Sequence, residues 1–299
     1  MKVLVTGAGA QIGGLLAIRL VSLGYQVVAL GHRTPPLKEL IGAAECVRAD
    51  VAESLLHLPP VDAIIHAAAR TPVTWDGTAS DYARSNILGM ERLIEYARRV
   101  AVKYLLNLST ISVYGQFPGG ELTEEAPFYR PDVYGTTKYV AERILAAGAS
   151  RIPGFSLRLP GVLAPNNFGP WIGKVLRKAL DDAPITIYNP QASFNNVIDV
   201  EELVRFSDHV LKTRPAGIDA VNWGADRPCA IRDIVGLILE YSSSRSDVTE
   251  GVAAKGSFWI NTDRLREECG FQPADTRQMV QRYVRMTLGQ PVRSELSGR

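Results

Sequence analysis

Residues 2–20 read KVLVTGAGAQIGGLLAIRL: a short apolar run, a glycine-rich turn, then apolar residues at helical spacing. Val3, Leu4 and Val5 form a continuous apolar stretch bounded by turn signals, the pattern of a strand buried on both faces. Leu15, Leu16, Ile18 and Leu20 then predict a helix. Strand, tight turn and helix in that order aim backbone N–H groups and the positive end of a helix dipole at one spot, which attracts phosphate. Glycine serves there because a Cβ obstructs a left-handed turn or the close approach of a pyrophosphate. The spacing departs from the strict dinucleotide form, in which Gly7 and Gly9 require a third glycine where Ile12 stands. Gly7 and Gly13 fit a longer Gly-x-x-Gly-x-x-Gly pattern whose middle member is Ala10. Taken alone, the turn could also be a helix cap packed against a strand.

Further strands are expected at 25–30, 46–49, 61–66 and 103–108, and a helix at 79–100. The alternation predicts an α/β fold, a doubly wound parallel sheet of Rossmann type with a smaller C-terminal lobe. Residues 1–160 are expected to form the dinucleotide-binding core. Residues 161–299 are expected to be mainly a substrate-binding lobe, with core segments returning at about 197–223.

The residues that end these strands carry the chemistry. An acid after the second strand would hold the ribose 2′-hydroxyl of NAD, but the chain offers Gly31, His32 and Arg33. A guanidinium suits a 2′-phosphate, so NADP is favoured, with NAD the alternative. The third strand ends at Asp50. The fourth ends in His66, read as a polar residue closing a buried strand, followed by Ala67, Ala68 and Ala69, where backbone could lie close to a flat ligand. A loop holding Pro72, Trp75 and Gly77 is long enough to cover a site, and Asn86 lies inside the next helix, where a polar amide is either exposed or assigned to something specific.

Ser109 and Thr110 end the fifth strand, and ligands of open parallel sheets bind outside the carboxyl ends of strands. A helix beginning near Asp132 carries Tyr134 and Lys138, four residues apart and so on one face. A phenol of pKa about 10 is protonated at neutral pH, and a nearby ammonium favours its anion. Tyr134 then becomes a proton donor or acceptor, with Thr110 fixing the substrate oxygen, while a nicotinamide handles hydride.

Composition narrows the partners. The chain has 299 residues, 46% hydrophobic and 21% charged, as in ordinary soluble proteins. A net charge of +2 is too small to argue for nucleic acid or an acidic membrane surface, and no dense basic run appears, so neither partner is expected. The first strand begins at residue 2 and no apolar span of about 18 residues follows, so a cytoplasmic protein is expected. Cys46, Cys229 and Cys269 lack zinc or disulfide spacing, and no metal is expected.

Together the motifs strongly resemble the extended short-chain dehydrogenase/reductase family, the NAD(P)-dependent epimerase/dehydratase group. The matching stretches are Val5-Thr6-Gly7 through Gly13, HAAA at 66–69, NILG at 86–89, STISVYG at 109–115, YGTTK at 134–138 and LRLPGV at 157–162. NWG at 222–224 and NTDRLREECGF at 261–271 add weaker matches, so the likeness runs in order along nearly the whole chain. The resemblance implies Tyr134 as acid/base, Lys138 on the nicotinamide ribose and lowering the tyrosine pKa, and Thr110 orienting the substrate oxygen. It places Gly7, Ala10, Gln11, Ile12 and Gly13 at the pyrophosphate, Asp50 and Val51 near adenine, and Asn86 in the support of the site. It also implies a homodimer through the helices at about 79–100 and 134–147.

Several positions depart from the family, beginning with Ala10 in place of a glycine. Gly31 stands where NAD-preferring relatives often carry aspartate, Gly161 where many sugar-nucleotide enzymes carry asparagine, and Asn195 near where an arginine often grips a diphosphate. Ile111 and Ser112 replace the acidic pair of the 4,6-dehydratase branch, which disfavours elimination. Arg158, Asn166, Trp171 and Asn196 are the candidate substrate contacts. The expected activity is NADP-preferring reduction of a keto group on a nucleotide-activated or related sugar. The alternatives are an epimerase that retains its cofactor and a non-catalytic dinucleotide sensor.

Overall fold

Short runs rich in valine, isoleucine and leucine build the central sheet. In the computed structural model, which describes residues 1–72, 77–148, 152–253 and 256–290, seven strands make it up. They are β1 (Lys2–Thr6), β2 (Gln26–Gly31), β3 (Glu45–Arg48), β4 (Ala63–His66), β5 (Tyr104–Thr110), β6 (Gly154–Leu159) and β7 (Ala220–Asn222). Their order is β7-β6-β5-β4-β1-β2-β3. The pairings of β1 with β2 and β4, of β2 with β3 and of β4 with β5 are parallel, in the register Val5↔Ala29 and Val5↔Ile65. Chain direction reverses its outward march between β1 and β4, which is the switch point of a doubly wound sheet. The expected fold class holds.

Helices α1 (Gln11–Ser22), α2 (Ala79–Tyr82), α3 (Gly89–Arg99) and α4 (Val133–Gly148) belong to the same unit. Leu4, Val28 and Ile64 of the sheet pack with Met90 and Leu93 of α3 and Leu145 of α4 in one buried cluster. That burial, at roughly 25 cal/mol per Å² of apolar surface, is the main driving force holding helix to sheet. The expected helix at 79–100 is interrupted: Ala83–Leu88 forms a π-helical turn between α2 and α3. Asn86 sits in that turn, and its buried side-chain amide accepts from the Arg70 N–H and donates to the Arg70 carbonyl. β5 runs two residues beyond its expected end, so Ser109 and Thr110 lie within the strand.

The chain divides into two compact units. The first is Met1–Gln116, Pro127–Arg158 and Phe206–Val221; the second is Phe117–Ala126, Leu159–Arg205 and Asn222–Arg299. Residues 117–126, expected in the core, belong to the second unit, and the returning core stretch is Phe206–Val221. The second unit is built from strand pairs of two or three residues, among them Val197–Asp199 with Gly161–Leu163 and Phe258–Ile260 with Gly120–Leu122. Such short strands need side-chain latches. Asn195 supplies one, donating to the Ala225 and Ile260 carbonyls at 2.8 and 2.9 Å and accepting from Ile260 N–H at 2.7 Å. Arg282 supplies another, donating to buried Asp199 at 2.7 Å and Glu202 at 3.1 Å.

Candidate active site

The turn after β1 has the shape that its glycines require. Gly7 has φ +75°, and a Cβ on it would lie 2.8 Å from Ala68 N and 2.9 Å from Ala67 C. The glycine therefore admits the backbone that leaves β4, and two sequence-distant candidate stretches meet. A Cβ on Gly13 would lie 2.4 Å from the Gly7 carbonyl oxygen, so the start of α1 presses directly on the turn. Ala10 is the N-cap of α1, at φ −95° and ψ 157°, an ordinary extended conformation that needs no glycine. Its methyl group costs the turn nothing, and its N–H donates to the Gly7 carbonyl at 2.9 Å. No side chain caps α1 and its first turn has no acid, which leaves the dipole's positive end for an anion. The cradle fits a dinucleotide pyrophosphate, with Gln11, Ile12 and Gly13 in the first turn.

At the end of β2 a Cβ on Gly31 would meet the Thr34 carbonyl oxygen at 2.6 Å and Pro36 at 2.9 Å. Position 31 thus has no space for an aspartate. His32 and Arg33 are exposed, and Arg48, paired with Gly31 across the ladder, donates to the His32 carbonyl at 3.0 Å. Burial pushes the Asp50 carboxyl up, but the Ala52 N–H, His32 and Arg84 outweigh it and hold the pKa below the usual value. Val51 turns its side chain into the core, where a Cβ on Gly89 of α3 comes within 2.9 Å of it.

Thr110, Tyr134 and Lys138 converge at the carboxyl end of β5. Thr110 hydrogen-bonds the Tyr134 hydroxyl. Asn86 donates to Thr137 at 3.0 Å, and Thr137 donates to the Tyr134 carbonyl at 3.0 Å, which ties the π turn to the Tyr134 helix. Tyr82 of α2 stands 6.3 Å from the Tyr134 ring, centroid to centroid. Burial, rather than the Lys138 charge, dominates the phenol. Lys138 is 2% exposed and donates to the Leu108 carbonyl of β5 at 2.8 Å, and burial pushes its pKa down to about 8. Tyr134 is instead pushed up to about 12 by burial, with Thr110 opposing and Asp132 and Tyr82 assisting. The shared helix face is real, and one of the three ammonium N–H donors goes to a strand carbonyl.

His66 is 1% exposed, shares a 2.8 Å hydrogen bond with Thr6 Oγ1 and is pushed down to about 3 by burial and the Lys138 charge. Thr6 Oγ1 also accepts from Ala68 N–H at 3.1 Å, so His66 and Thr6 together support the alanine stretch.

Arg158, a candidate substrate contact, is a correction. It is 6% exposed and donates from Nε and Nη2 to Glu142 and from Nη1 to the Tyr114 hydroxyl. Glu142 also accepts from Ser109 Oγ at 2.5 Å. A guanidinium this deeply buried and turned to a carboxylate and a phenol oxygen is held as part of the wall of the unit. The other three candidates lie in the second unit. Asn166 is exposed with φ +58°. Trp171 opens the helix Trp171–Leu180 and stacks edge-on against Phe194 at 4.9 Å. Asn196 donates to the Phe258 carbonyl at 3.1 Å, and its buried Oδ1 accepts no hydrogen bond among the described residues. Trp75 lies outside the described residues. Sequence reasoning passed over Arg48, Ser112 and Glu142; for Arg48 the signal was its place at the end of the strand beside β2.

Among the described residues no His, Cys, Asp or Glu group of three or more could hold a metal, and no helix is long and apolar enough to cross a membrane. A doubly wound sheet with a glycine cradle and a Tyr/Lys pair at one edge is the arrangement of a nicotinamide-dependent enzyme of the extended short-chain dehydrogenase/reductase type. The sequence profile of the NAD dependent epimerase/dehydratase family matches residues 3–224, and the chain belongs to that family. It is 28% identical over 294 residues to the dTDP-6-deoxy-L-talose 4-dehydrogenase (NAD(P)(+)) of Kitasatospora kifunensis, covering 92% of each chain. It is similar to the structure of MoeE5 in complex with UDP-glucuronic acid and NAD, at 26% identity and TM-score 0.80, covering 97% of this chain and 99% of that one. The fold is also that of the UDP-glucuronic acid 4-epimerase of Bacillus cereus, at TM-score 0.78 and 22% identity, with 96% and 99% covered.

Proposed function

We propose that this chain is an NADP-preferring oxidoreductase that reduces a keto group of a nucleotide-activated or related sugar. The observation that carries the reading is the convergence of Thr110, Tyr134 and Lys138 at the sheet edge that also holds the glycine cradle. Gly7, Ala10, Gln11, Ile12 and Gly13 hold the pyrophosphate. His32 and Arg33 take the 2′-phosphate, Asp50 and Val51 flank the adenine, and Ala67, Ala68 and Ala69 lie along the cofactor. Lys138 binds the nicotinamide ribose, and Asn86 steadies the site through Thr137. The bound cofactor supplies the electron pair of the reduction. Tyr134 Oη gives its proton to the substrate oxygen, and Thr110 Oγ1 holds that oxygen in place.

The second unit, through Asn166, Trp171 and Asn196, takes the sugar nucleotide. This is supported by the names of relatives that act on or bind dTDP- or UDP-linked sugars. NADP preference is supported by the basic cluster of His32, Arg33 and Arg48 and by the blocked position 31. A soluble cytoplasmic homodimer completes the proposal. The likeness to MoeE5 with UDP-glucuronic acid and NAD favours a second reading, an epimerase that keeps its cofactor through oxidation and return. Cofactor released and consumed in stoichiometric amounts supports the reductase, and net isomerisation without consumption supports the epimerase.

The test is Tyr134→Phe. Cofactor affinity by calorimetry is expected to stay within about twofold, while turnover falls by about 10²- to 10⁴-fold, the contribution of a positioned proton donor. Full activity in that variant sinks the assignment.

A further inference from the structure

We infer that Ser112 is a positioning residue, which sets the direction of the Thr110 hydroxyl and through it favours the anion of Tyr134. The inference rests on reading Tyr134 as the acid/base. Thr110 Oγ1 donates to Ser112 Oγ at 3.1 Å, accepts from Ser112 N–H at 3.1 Å, and hydrogen-bonds the Tyr134 hydroxyl. A threonine hydroxyl has one proton and two acceptor positions. Ser112 N–H occupies one acceptor position, so the other takes the O–H of Tyr134 or that of Ser112, never both.

Two arrangements are compatible with the single proton of Thr110. While Tyr134 is protonated, its O–H donates to Thr110 and the Thr110 O–H donates to Ser112. Once Tyr134 has lost its proton, the chain reverses: Ser112 O–H donates to Thr110 Oγ1, and the Thr110 O–H donates to the phenolate oxygen. Only hydroxyl rotors turn; no heavy atom moves and no O–H bond breaks in the reversal. The anionic arrangement gains more, because hydrogen bonds to a charged acceptor are stronger and a chain of them polarises cooperatively.

The backbone holds this spacing. Ser112 lies in the short 3₁₀ turn Ile111–Tyr114, whose N-cap is Thr110. Its carbonyl accepts from Gly115 N–H at 3.1 Å and lies against Gly135, the residue after Tyr134. A Cβ on Gly135 would stand 2.1 Å from the Ser112 carbonyl oxygen, so the turn and α4 approach as closely as a glycine permits. Around the phenol, Asp132 at the start of α4 and Tyr82 of α2 both oppose ionisation, Arg70 faces Tyr82, and Lys138 is held on the Leu108 carbonyl. Thr110 is the group that favours the anion, and Ser112 frees its proton to turn.

A ring-difluorinated tyrosine placed at position 134 of the full chain brings the titration into a pH range that the fold tolerates, and fluorine NMR follows it. In Ser112→Ala the midpoint is expected to rise by about half a pH unit or more, the effect of losing one polarising hydrogen bond. Ser112→Thr is expected to restore it. An unchanged or lowered midpoint in folded Ser112→Ala, or a raised one in Ser112→Thr, overturns the inference. If Ser112→Ala does not fold, Ser112→Cys, a weaker donor and acceptor, must raise the midpoint as well, and no rise overturns the inference. The titration needs no turnover, so its outcome is separate from that of Tyr134→Phe.

Discussion

Arg33 stands exposed just past the end of β2, and the last residue of that strand is a glycine with a carbonyl oxygen 2.6 Å from where its Cβ would be. An acid that would grip a ribose diol cannot enter there without moving the Thr34–Pro36 backbone, and Arg48, which donates to the His32 carbonyl, brings a second guanidinium to this strand end. Arg33→Ala is therefore expected to lower the ratio of NADP to NAD affinity by about tenfold or more, one charge-assisted hydrogen bond's worth. Titrating both cofactors against the variant checks it, and an unchanged ratio removes Arg33 from cofactor choice. At this scale the sequence was legible where a strand end and a helix start fix an address, as with Thr110 and Tyr134, which meet. It was not legible where a partner decides the role. Arg158 looked like a ligand contact until Glu142, sixteen positions away on α4, claimed its guanidinium, and nothing in the sequence pointed to the bond from Lys138 to the Leu108 carbonyl.

The turn between β1 and α1 shows why some elements could be read in advance. Its glycines answer to backbone geometry within a few residues, and local geometry is written locally. Gly13→Ala must force a methyl group against the Gly7 carbonyl oxygen at 2.4 Å, and backbone cannot yield as a side-chain tip can. The variant is expected to lose cofactor affinity by about tenfold or more and about 1–3 kcal/mol of stability, the usual cost of overpacking. Ala10→Gly, at an exposed N-cap of ordinary φ, is expected to leave affinity within about twofold, because its methyl group occupies no space the turn needs. Calorimetry and thermal melts of the pair decide the matter; equal effects at positions 10 and 13 would refute the cradle. The π turn at Ala83–Leu88 had no such local signature, since it follows from one buried amide reaching the Arg70 backbone.

At the scale of the molecule, the doubly wound sheet was legible because its strands are continuous apolar runs. The second unit was less so, because its strands of two or three residues exist only by tertiary pairing and by latches such as Asn195. Residues 117–126 illustrate the limit: strand Gly120–Leu122 joins Phe258–Ile260, a partner more than a hundred residues away. Assembly is the remaining question at this scale. The outer faces of α3 and α4 frame a groove of about 560 Å³ lined by Ile94, Ile144, Ala147 and Gly148 among Glu91, Glu95, Arg98 and Arg99. Two copies related by a two-fold axis would set this mixed-charge face against itself, the same patch on both sides, as in an isologous contact. The expected result of sedimentation equilibrium is a dimer. Ala147→Glu, which adds a like charge near Glu91 and Glu95 at an exposed helix position, is expected to weaken the dimer by about tenfold or more while leaving the thermal melt of the monomer unchanged. A wild-type monomer, or a variant that dimerises as strongly as wild type, would move the interface away from α3 and α4.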